Sequence, residues 1–308
     1  MLELAKSRVM IAGAGGAVGS ALMRLLHGQT RTLRGWRQAD GDLREETAAR
    51  AALIEQKYDV VFLLAATQGG IADNIARPRA FLEDNARIAF NVIGAAAECD
   101  VSRLVFAGST VLYSPDAPQP YREQDLAKGA LDATHEGYAL AKLLGMRLCA
   151  YYASERGLHY TTAVLGNVIG PGCTFEPPRA GVAASLIKRA VDARRAGASA
   201  LSVWGTGRAT RDLLPAADAA AALALIAERQ ASPAPINVAS GVDRPMVDIA
   251  KAAAAAAGFE GAIAFDASKP EGALSRSVDI AQLRALGFSP QVQLADAFAE
   301  LAAIYESS

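Results

Sequence analysis

Tyr138 and Lys142 stand four residues apart in the run Tyr-Ala-Leu-Ala-Lys, a spacing that puts both side chains on one face of a helix, one turn apart. A phenol beside an ammonium is an acid–base device. The positive charge favours phenolate, so the phenol can exchange a proton with a carbonyl oxygen while a hydride moves at the adjoining carbon. Ser109 closes the apolar run Leu104-Val105-Phe106-Ala107-Gly108 and offers a hydroxyl that could hold the same oxygen. Tyr-x-x-x-Lys alone is common on helix surfaces; an upstream dinucleotide site gives it meaning.

Such a site is present. The turn Gly13-Ala14-Gly15-Gly16-Ala17-Val18-Gly19 follows a strand-like run, Arg8–Ala12, and opens a helix-like one, Ala17–Leu26. Glycines three apart allow a tight turn and let a pyrophosphate approach the backbone, where the positive end of the helix holds it. Gly13, Gly15, Gly16, Ala17, Val18 and Gly19 are therefore the expected cradle, and the strand-turn-helix context is what supports it. NAD sites usually carry an acid after the second strand to hold the ribose 2′-hydroxyl. Residues 29–39 contain none and carry Arg31, Arg34 and Arg37; Arg34 and Arg37 suit a 2′-phosphate. NADP(H) is the expected cofactor, with Asp42-Leu43 beside the adenine and Lys142 within reach of the nicotinamide ribose.

These groups need a scaffold, and the chain offers one. Its first half alternates short apolar runs (58–64, 103–107, 160–165) with long helical stretches (81–98, 138–156), which predicts an α/β fold with a doubly wound parallel Rossmann sheet. After Gly166 the character changes: a Pro/Gly-rich stretch, a helix over 182–196, a strand over Ala200–Trp204 and a loop over 205–212 predict a smaller α/β substrate-binding lobe. A helix over 216–228, a strand over 236–239 and a helix over 245–257 follow. The expected division is a nucleotide-binding domain over 1–167, with a returning segment near 213–240, and a lobe formed mainly by 168–308.

Composition narrows the function classes. The 308 residues are 52% hydrophobic and 20% charged with a formal charge of −1, enough for a large core and without the basic stripe that nucleic acid requires. No apolar run is long enough for a membrane span, and residues 1–8 lead straight into a strand without a signal peptide. Cys99, Cys149 and Cys173 are few, odd and scattered, so neither a disulfide framework nor a metal site is expected. A soluble cytoplasmic protein follows.

Beyond the shared chemistry, the chain resembles the GDP-L-fucose synthase family over nearly its whole length. Residues 65–74 (Ala-Ala-Thr-Gln-Gly-Gly-Ile-Ala-Asp-Asn) are similar to that family's Gly-Gly loop between nicotinamide and sugar, Asn85 to its helix-borne Asn, and residues 136–142 to its active-site helix. Val203-Trp204-Gly205-Thr206-Gly207 with Arg211-Asp212 resembles its loop over the nucleotide diphosphate. Residues 237–243 and 265–272 (Phe-Asp-Ala-Ser-Lys-Pro-Glu-Gly) complete the likeness. The resemblance implies that Ala65, Ala66 and Leu165 join the cofactor site and that Asn167 and Val168 serve both cofactor and sugar diphosphate. It implies that Gly69, Gly70, Ser109 and Thr110 face the sugar, that Arg211 pairs with phosphate oxygens, and that Lys188, Trp204 and Lys269 lie along the substrate. It also implies a GDP-sugar substrate and a homodimer whose interface is four helices, two from 81–98 and 138–156 of each copy.

The chain departs from the family at two places. Fucose synthases epimerise C3 and C5 before reducing the C4 ketone, which needs a second acid–base pair; the family uses a Cys two residues after the Ser, and a His in the second lobe. Those positions are Val111 and, by a gapless match from Gly170 through Pro177, Gly181. Neither moves a proton. The resemblance then implies a C4 reductase without epimerase activity, acting on a GDP-4-keto-6-deoxy hexose or heptose, of the kind that serves bacterial capsule synthesis. Cys173, Glu176 and His135 are the acids that could stand in, which keeps open a full 3,5-epimerase/4-reductase. A nucleotide-sugar 4-epimerase would share Ser, Tyr and Lys but usually carries the NAD-binding acid. A dehydratase needs an Asp-Glu pair where this chain has Val111-Leu112, and a non-catalytic sensor usually lacks the Tyr-Lys pair.

Overall fold

The computed structural model describes residues 2–54, 56–177, 179–269 and 274–307. The first half runs β1 (Arg8–Ala12), α1 (Ala17–Leu26), β2 (Thr32–Trp36), α2 (Glu46–Ile54), β3 (Val60–Leu63), α3 (Ile71–Ala76), α4 (Pro78–Glu98), β4 (Arg103–Ser109), α5 (Glu136–Arg156) and β5 (His159–Leu165). Then come β6 (Asn167–Ile169), α6 (Val182–Arg195), β7 (Ala200–Trp204), β8 (Thr210–Pro215), α7 (Ala216–Arg229) and β9 (Ile236–Val238). β10 (Asp243–Pro245), α8 (Met246–Ala256), β11 (Ala262–Asp266), α9 (Ala281–Ala285) and α10 (Leu294–Glu306) follow.

Six strands form one parallel sheet in the order β2-β1-β3-β4-β5-β9. β3 is apolar throughout because both of its faces are covered: Val60 and Phe62 enter the core under α1 and α7, Val61 and Leu63 the core under α2, α4 and α5. The chain leaves β1 to one side for β2 and to the other for β3, and ligands bind such sheets in the crevice beyond that switch point. Gly13 and Ala65 stand there. Gly13 adopts φ +94°, and a Cβ on it would lie 2.5 Å from the Ala65 nitrogen, so only glycine lets the two loops meet.

A third core, with Ile187, Leu201, Ile249 and Phe298 at its centre, holds α6, α8 and α10 against β7 and β8. Two small sheets belong here, β10-β8-β6 and β11-β7. Not everything after residue 168 joins this lobe: Val278, Ile280, Leu283 and Phe288 pack into the core of the central sheet, together with α7 and β9.

Element types agree with the sequence patterns, with three differences. The stretch 205–212 is not all loop, because β8 begins at Thr210 and pairs with β6 and β10. The helix expected over 81–98 starts one turn earlier, with Pro78 at a first-turn position where a missing N–H leaves no hydrogen bond unmade. The strand expected over 58–64 is trimmed to Val60–Leu63; Tyr58 is buried outside it. Pro270, Glu271 and Gly272 of the C-terminal motif lie outside the described residues.

Candidate active site

α5 is pressed onto β4 because Gly145 has no side chain; a Cβ there would run into the Phe106 ring. This close approach carries Lys142 inward until it is 3% exposed, with Nζ donating to the Ala107 carbonyl at 2.8 Å. The ammonium also sits 4.8 Å from the centre of the Phe106 ring and 5.5 Å from that of Tyr138. Ser109 ends β4 two residues beyond Ala107, and its Oγ accepts a hydrogen bond from the Val111 N–H at 3.4 Å, capping the tight turn Thr110–Leu112. The strand end and the helix face thus bring Ser109, Tyr138 and Lys142 into one region.

Burial sets the electrostatics. It draws the Lys142 ammonium down to about 7 and pushes the Tyr138 phenol up to about 12. From the sequence, Lys142 is expected to lower the phenol. In the protein alone, Lys142 is turned to the Ala107 carbonyl and burial favours its neutral form.

On the cofactor side, Gly15 and Gly16 are bare and exposed at the start of α1, with Gly16 as its N-cap. Ala17 and Val18 open that helix, and Gly19 packs where a Cβ would strike the Gly13 carbonyl. Arg37 follows β2 directly, and its Cγ and Cδ lie 3.9 and 4.0 Å from where a Cβ on Gly15 would stand, so its guanidinium belongs to the mouth of the cradle. Arg34 lies within β2, 5.5 Å over the Trp36 ring, and pairs with Asp40 at 3.4 Å. Asp40 also accepts from the Arg37 backbone N–H at 2.8 Å. The first acid after β2 is thus already engaged, which leaves two guanidinium groups and no uncommitted carboxylate at the turn. Asp42 is gripped by Arg44, which lowers its carboxyl, and Leu43 is buried. Ala65 and Ala66 lead from β3, while Leu165 and Val168 are half-buried against the central core. The bare glycines, the helix start and Arg37 fit a dinucleotide with a 2′-phosphate.

Across the cleft, Asn167 is exposed and its side chain donates to the Asp212 carbonyl at 3.2 Å. Arg211 and Asp212 alternate on β8. Asp212 points inward, where its carboxylate accepts the Ser240 and Gly241 N–H groups at 2.9 and 2.7 Å. Gly181 caps α6 and nothing lies within 4 Å of where its Cβ would be. Val111, by contrast, is 8% exposed, and Thr110 is half-buried. Trp204 is 57% exposed at the end of β7, in register with Asp266, and Lys269 follows on the surface. Lys188 is already engaged: its Nζ lies 2.6 Å from the Tyr305 hydroxyl and 3.3 Å from Asp192. Gly69 and Gly70 hand their carbonyls to Asn74 at 3.0 Å, and Asn85 holds both the N–H and the carbonyl of Thr67.

Some participants escape sequence reasoning. Gly172, at φ +89°, places second-lobe backbone against the cradle, where a Cβ would be 2.9 Å from the Ala17 nitrogen. The only available sign is a Gly-Pro-Gly triplet. Arg276 pairs with Asp132, which also accepts from Thr134 ahead of α5, and the two residues are far apart in sequence.

Residues 9–239 match the model of the NAD dependent epimerase/dehydratase family. The GDP-L-fucose synthase of Escherichia coli (strain K12) is 35% identical over 301 residues, covering 94% of this chain and 94% of that one. Among solved structures, a GDP-6-OMe-4-keto-L-xylo-heptose reductase from Campylobacter jejuni superposes with a TM-score of 0.86 at 24% identity, covering 98% of each chain. A GDP-L-fucose synthetase from Naegleria fowleri bound to NADP gives a TM-score of 0.90 at 22% identity, over 99% of this chain and 96% of that one.

Proposed function

We propose, because this chain belongs to the NAD-dependent epimerase/dehydratase family and to the GDP-L-fucose synthase group within it, that it is a cytoplasmic NADPH-dependent reductase. Its substrate would be the C4 ketone of a GDP-4-keto-6-deoxy sugar, hexose or heptose, and it would leave C3 and C5 untouched. The observation that carries this reading is the contrast between a Tyr138–Lys142 pair tied to the strand that ends at Ser109 and two positions, Val111 and Gly181, that cannot move a proton.

Gly13, Gly15, Gly16, Ala17, Val18 and Arg37 would hold the cofactor, whose nicotinamide supplies a hydride to C4. Ser109 Oγ holds the carbonyl oxygen. Tyr138 gives its phenolic proton to that oxygen as the C–H bond forms, so the ketone becomes an alcohol and the phenolate regains a proton from solvent. Lys142, 5.5 Å from the Tyr138 ring, offers its charge to that phenolate. Asn167, Arg211, Trp204 and Lys269 would take the nucleotide diphosphate. The open space at Gly181 would admit the longer side chain of a heptose. Phe90 on α4 and Leu140 and Tyr151 on α5 are exposed apolar side chains, which supports a homodimer through these helices.

The test is NADPH oxidation with GDP-4-keto-6-deoxymannose in deuterated water, with the product read by NMR. Reduction without deuterium at C3 and C5 is expected. Deuterium at either carbon would make the enzyme a full fucose synthase with a substitute acid, and no oxidation of NADPH with hexose or heptose substrates would overturn the reading.

A further inference from the structure

We infer that Arg44 is a specificity-determining residue for NADPH: it cancels the charge of Asp42 at the edge of the cofactor cleft and so makes that edge tolerant of a 2′-phosphate. The inference rests on the NADPH site proposed above. Acids that select NAD stand roughly 20 residues past the glycine turn, where a carboxylate holds the ribose 2′-hydroxyl and would repel a phosphate in its place. Asp40 and Asp42 both fall in that region. Asp40 is occupied by Arg34 and by the Arg37 N–H. Asp42 lies on a loop folded back onto the end of β2, where the Trp36 indole N–H donates to the Gly41 carbonyl at 3.1 Å. The Trp36 carbonyl in turn accepts the N–H groups of Gly13 and Ala14, at 2.9 and 3.1 Å, so one residue joins this loop to the cradle.

Asp42 is held on both oxygens. Arg44 Nε donates to Oδ1 and Oδ2 at 3.0 and 2.9 Å, Nη2 donates to Oδ2, and the Arg44 backbone N–H donates to Oδ1 at 3.0 Å. The guanidinium has a second anchor: Nη1 donates to Asp84 Oδ1 at 3.2 Å, and the other Asp84 oxygen accepts from the Thr67 hydroxyl at 3.0 Å. The backbone is fixed as well, because the Asn91 amide on α4 donates to the carbonyls of Leu43 and Arg44 at 3.2 and 2.9 Å. A planar fork tied in this way keeps its charge beside Asp42. Asp42 and Arg44 are 34% and 37% exposed, and a pair this open adds little to stability. What it changes is the potential at the cleft. The Asp42–Arg44 pair presents no net charge to an approaching phosphate, whereas a bare Asp42 would present a like charge.

The test is the ratio of the NADH Kd to the NADPH Kd, from fluorescence titration of each cofactor into the full-length protein. Contacts to the adenine are common to both cofactors and cancel in the ratio. In Arg44→Leu the ratio is expected to fall about three- to tenfold, as one uncompensated charge acts on a phosphate through a partly aqueous medium. The double variant Asp42→Asn, Arg44→Leu should return it to within about twofold of wild type, a recovery that loosened packing would not show. Arg44→Lys keeps the charge and should hold the ratio near wild type. Asp42→Asn alone should raise it, which tests the same charge in a chain that retains Arg44. An unchanged ratio in Arg44→Leu overturns the inference, as does no rise in Asp42→Asn. A fall that Asp42→Asn does not reverse also overturns it, and makes Arg44 itself a phosphate ligand. A wild-type protein that binds NADH more tightly than NADPH overturns the cofactor reading, and the direction of change in Arg44→Leu then still decides the role of Arg44.

Discussion

The ammonium of Lys142 donates to the carbonyl oxygen of Ala107 at 2.8 Å, two residues before Ser109 on the same strand. One hydrogen bond therefore ties α5, the helix of Tyr138 and Lys142, to the strand that ends at Ser109. It is made by a group that burial has drawn down to about 7 from 10.5, so the tie coexists with a strong penalty on the charge.

That penalty has a pH signature. Between pH 10.5 and about 7 the unfolded chain holds a proton that the folded Lys142 does not, so stability falls as pH falls across this window. Below about 7 both states hold the proton and the penalty is constant. Lys142→Met lacks the titration, so its stability relative to wild type should improve on going from pH 10 to pH 6.5, by on the order of 4 kcal/mol at most. Denaturant unfolding of the cofactor-free proteins at the two pH values measures this; a difference that does not change with pH would refute it.

Tyr138→Phe removes the proton and leaves the ring. Turnover should drop about 10²- to 10⁴-fold while the NADPH Kd stays within about twofold, because the cradle residues are untouched. Fluorescence titration with NADPH beside steady-state kinetics checks both halves.

Arg37 leads the cofactor preference because it stands beside Gly15, whereas Arg34 is partly engaged with Trp36 and Asp40. Arg37→Ser should weaken NADPH binding at least about tenfold and leave NADH within about twofold, as expected for a lost guanidinium–phosphate contact of roughly 1.5–3 kcal/mol. Arg34→Ser should do less. Equal weakening of both cofactors would place Arg37 outside the 2′-phosphate site.

The positions where proton transfer is missing can be refilled. Gly181 has room for a side chain, and Val111 is of a size near that of cysteine. The double variant Val111→Cys, Gly181→His should begin to place solvent deuterium at C3 or C5 of a GDP-4-keto-6-deoxy hexose, with reduction at C4 retained. No exchange by the double variant would mean that acid–base groups at these positions are insufficient.

Local signals in the sequence carry the frame of the site. The glycine turn before Ala17, the phenol and ammonium on one helix face, and the hydroxyl at the end of a buried strand all depend on residues within a few positions of one another. What stayed hidden depends on long-range pairing. β8 is obscured because Arg211 and Asp212 interrupt its apolar pattern, and the reason for Asp212 appears only when the backbone of Ser240 and Gly241 arrives to be held. Lys188 looks like a substrate cation until α10 brings Tyr305 to it.

The last strand of the central sheet, β9, and the helix before it, α7, are encoded after the first elements of the second lobe, β6, α6, β7 and β8. A ribosome releases a chain from its N-terminus at about 5–20 residues per second, so the glycine turn and α5 both emerge before the outer edge of β5 has its neighbour. Until then the apolar side of α1 also lacks α7. The nascent nucleotide-binding half must remain incomplete while α6 and β7 are made, which gives this enzyme an interval of exposed edge and apolar surface during every round of synthesis.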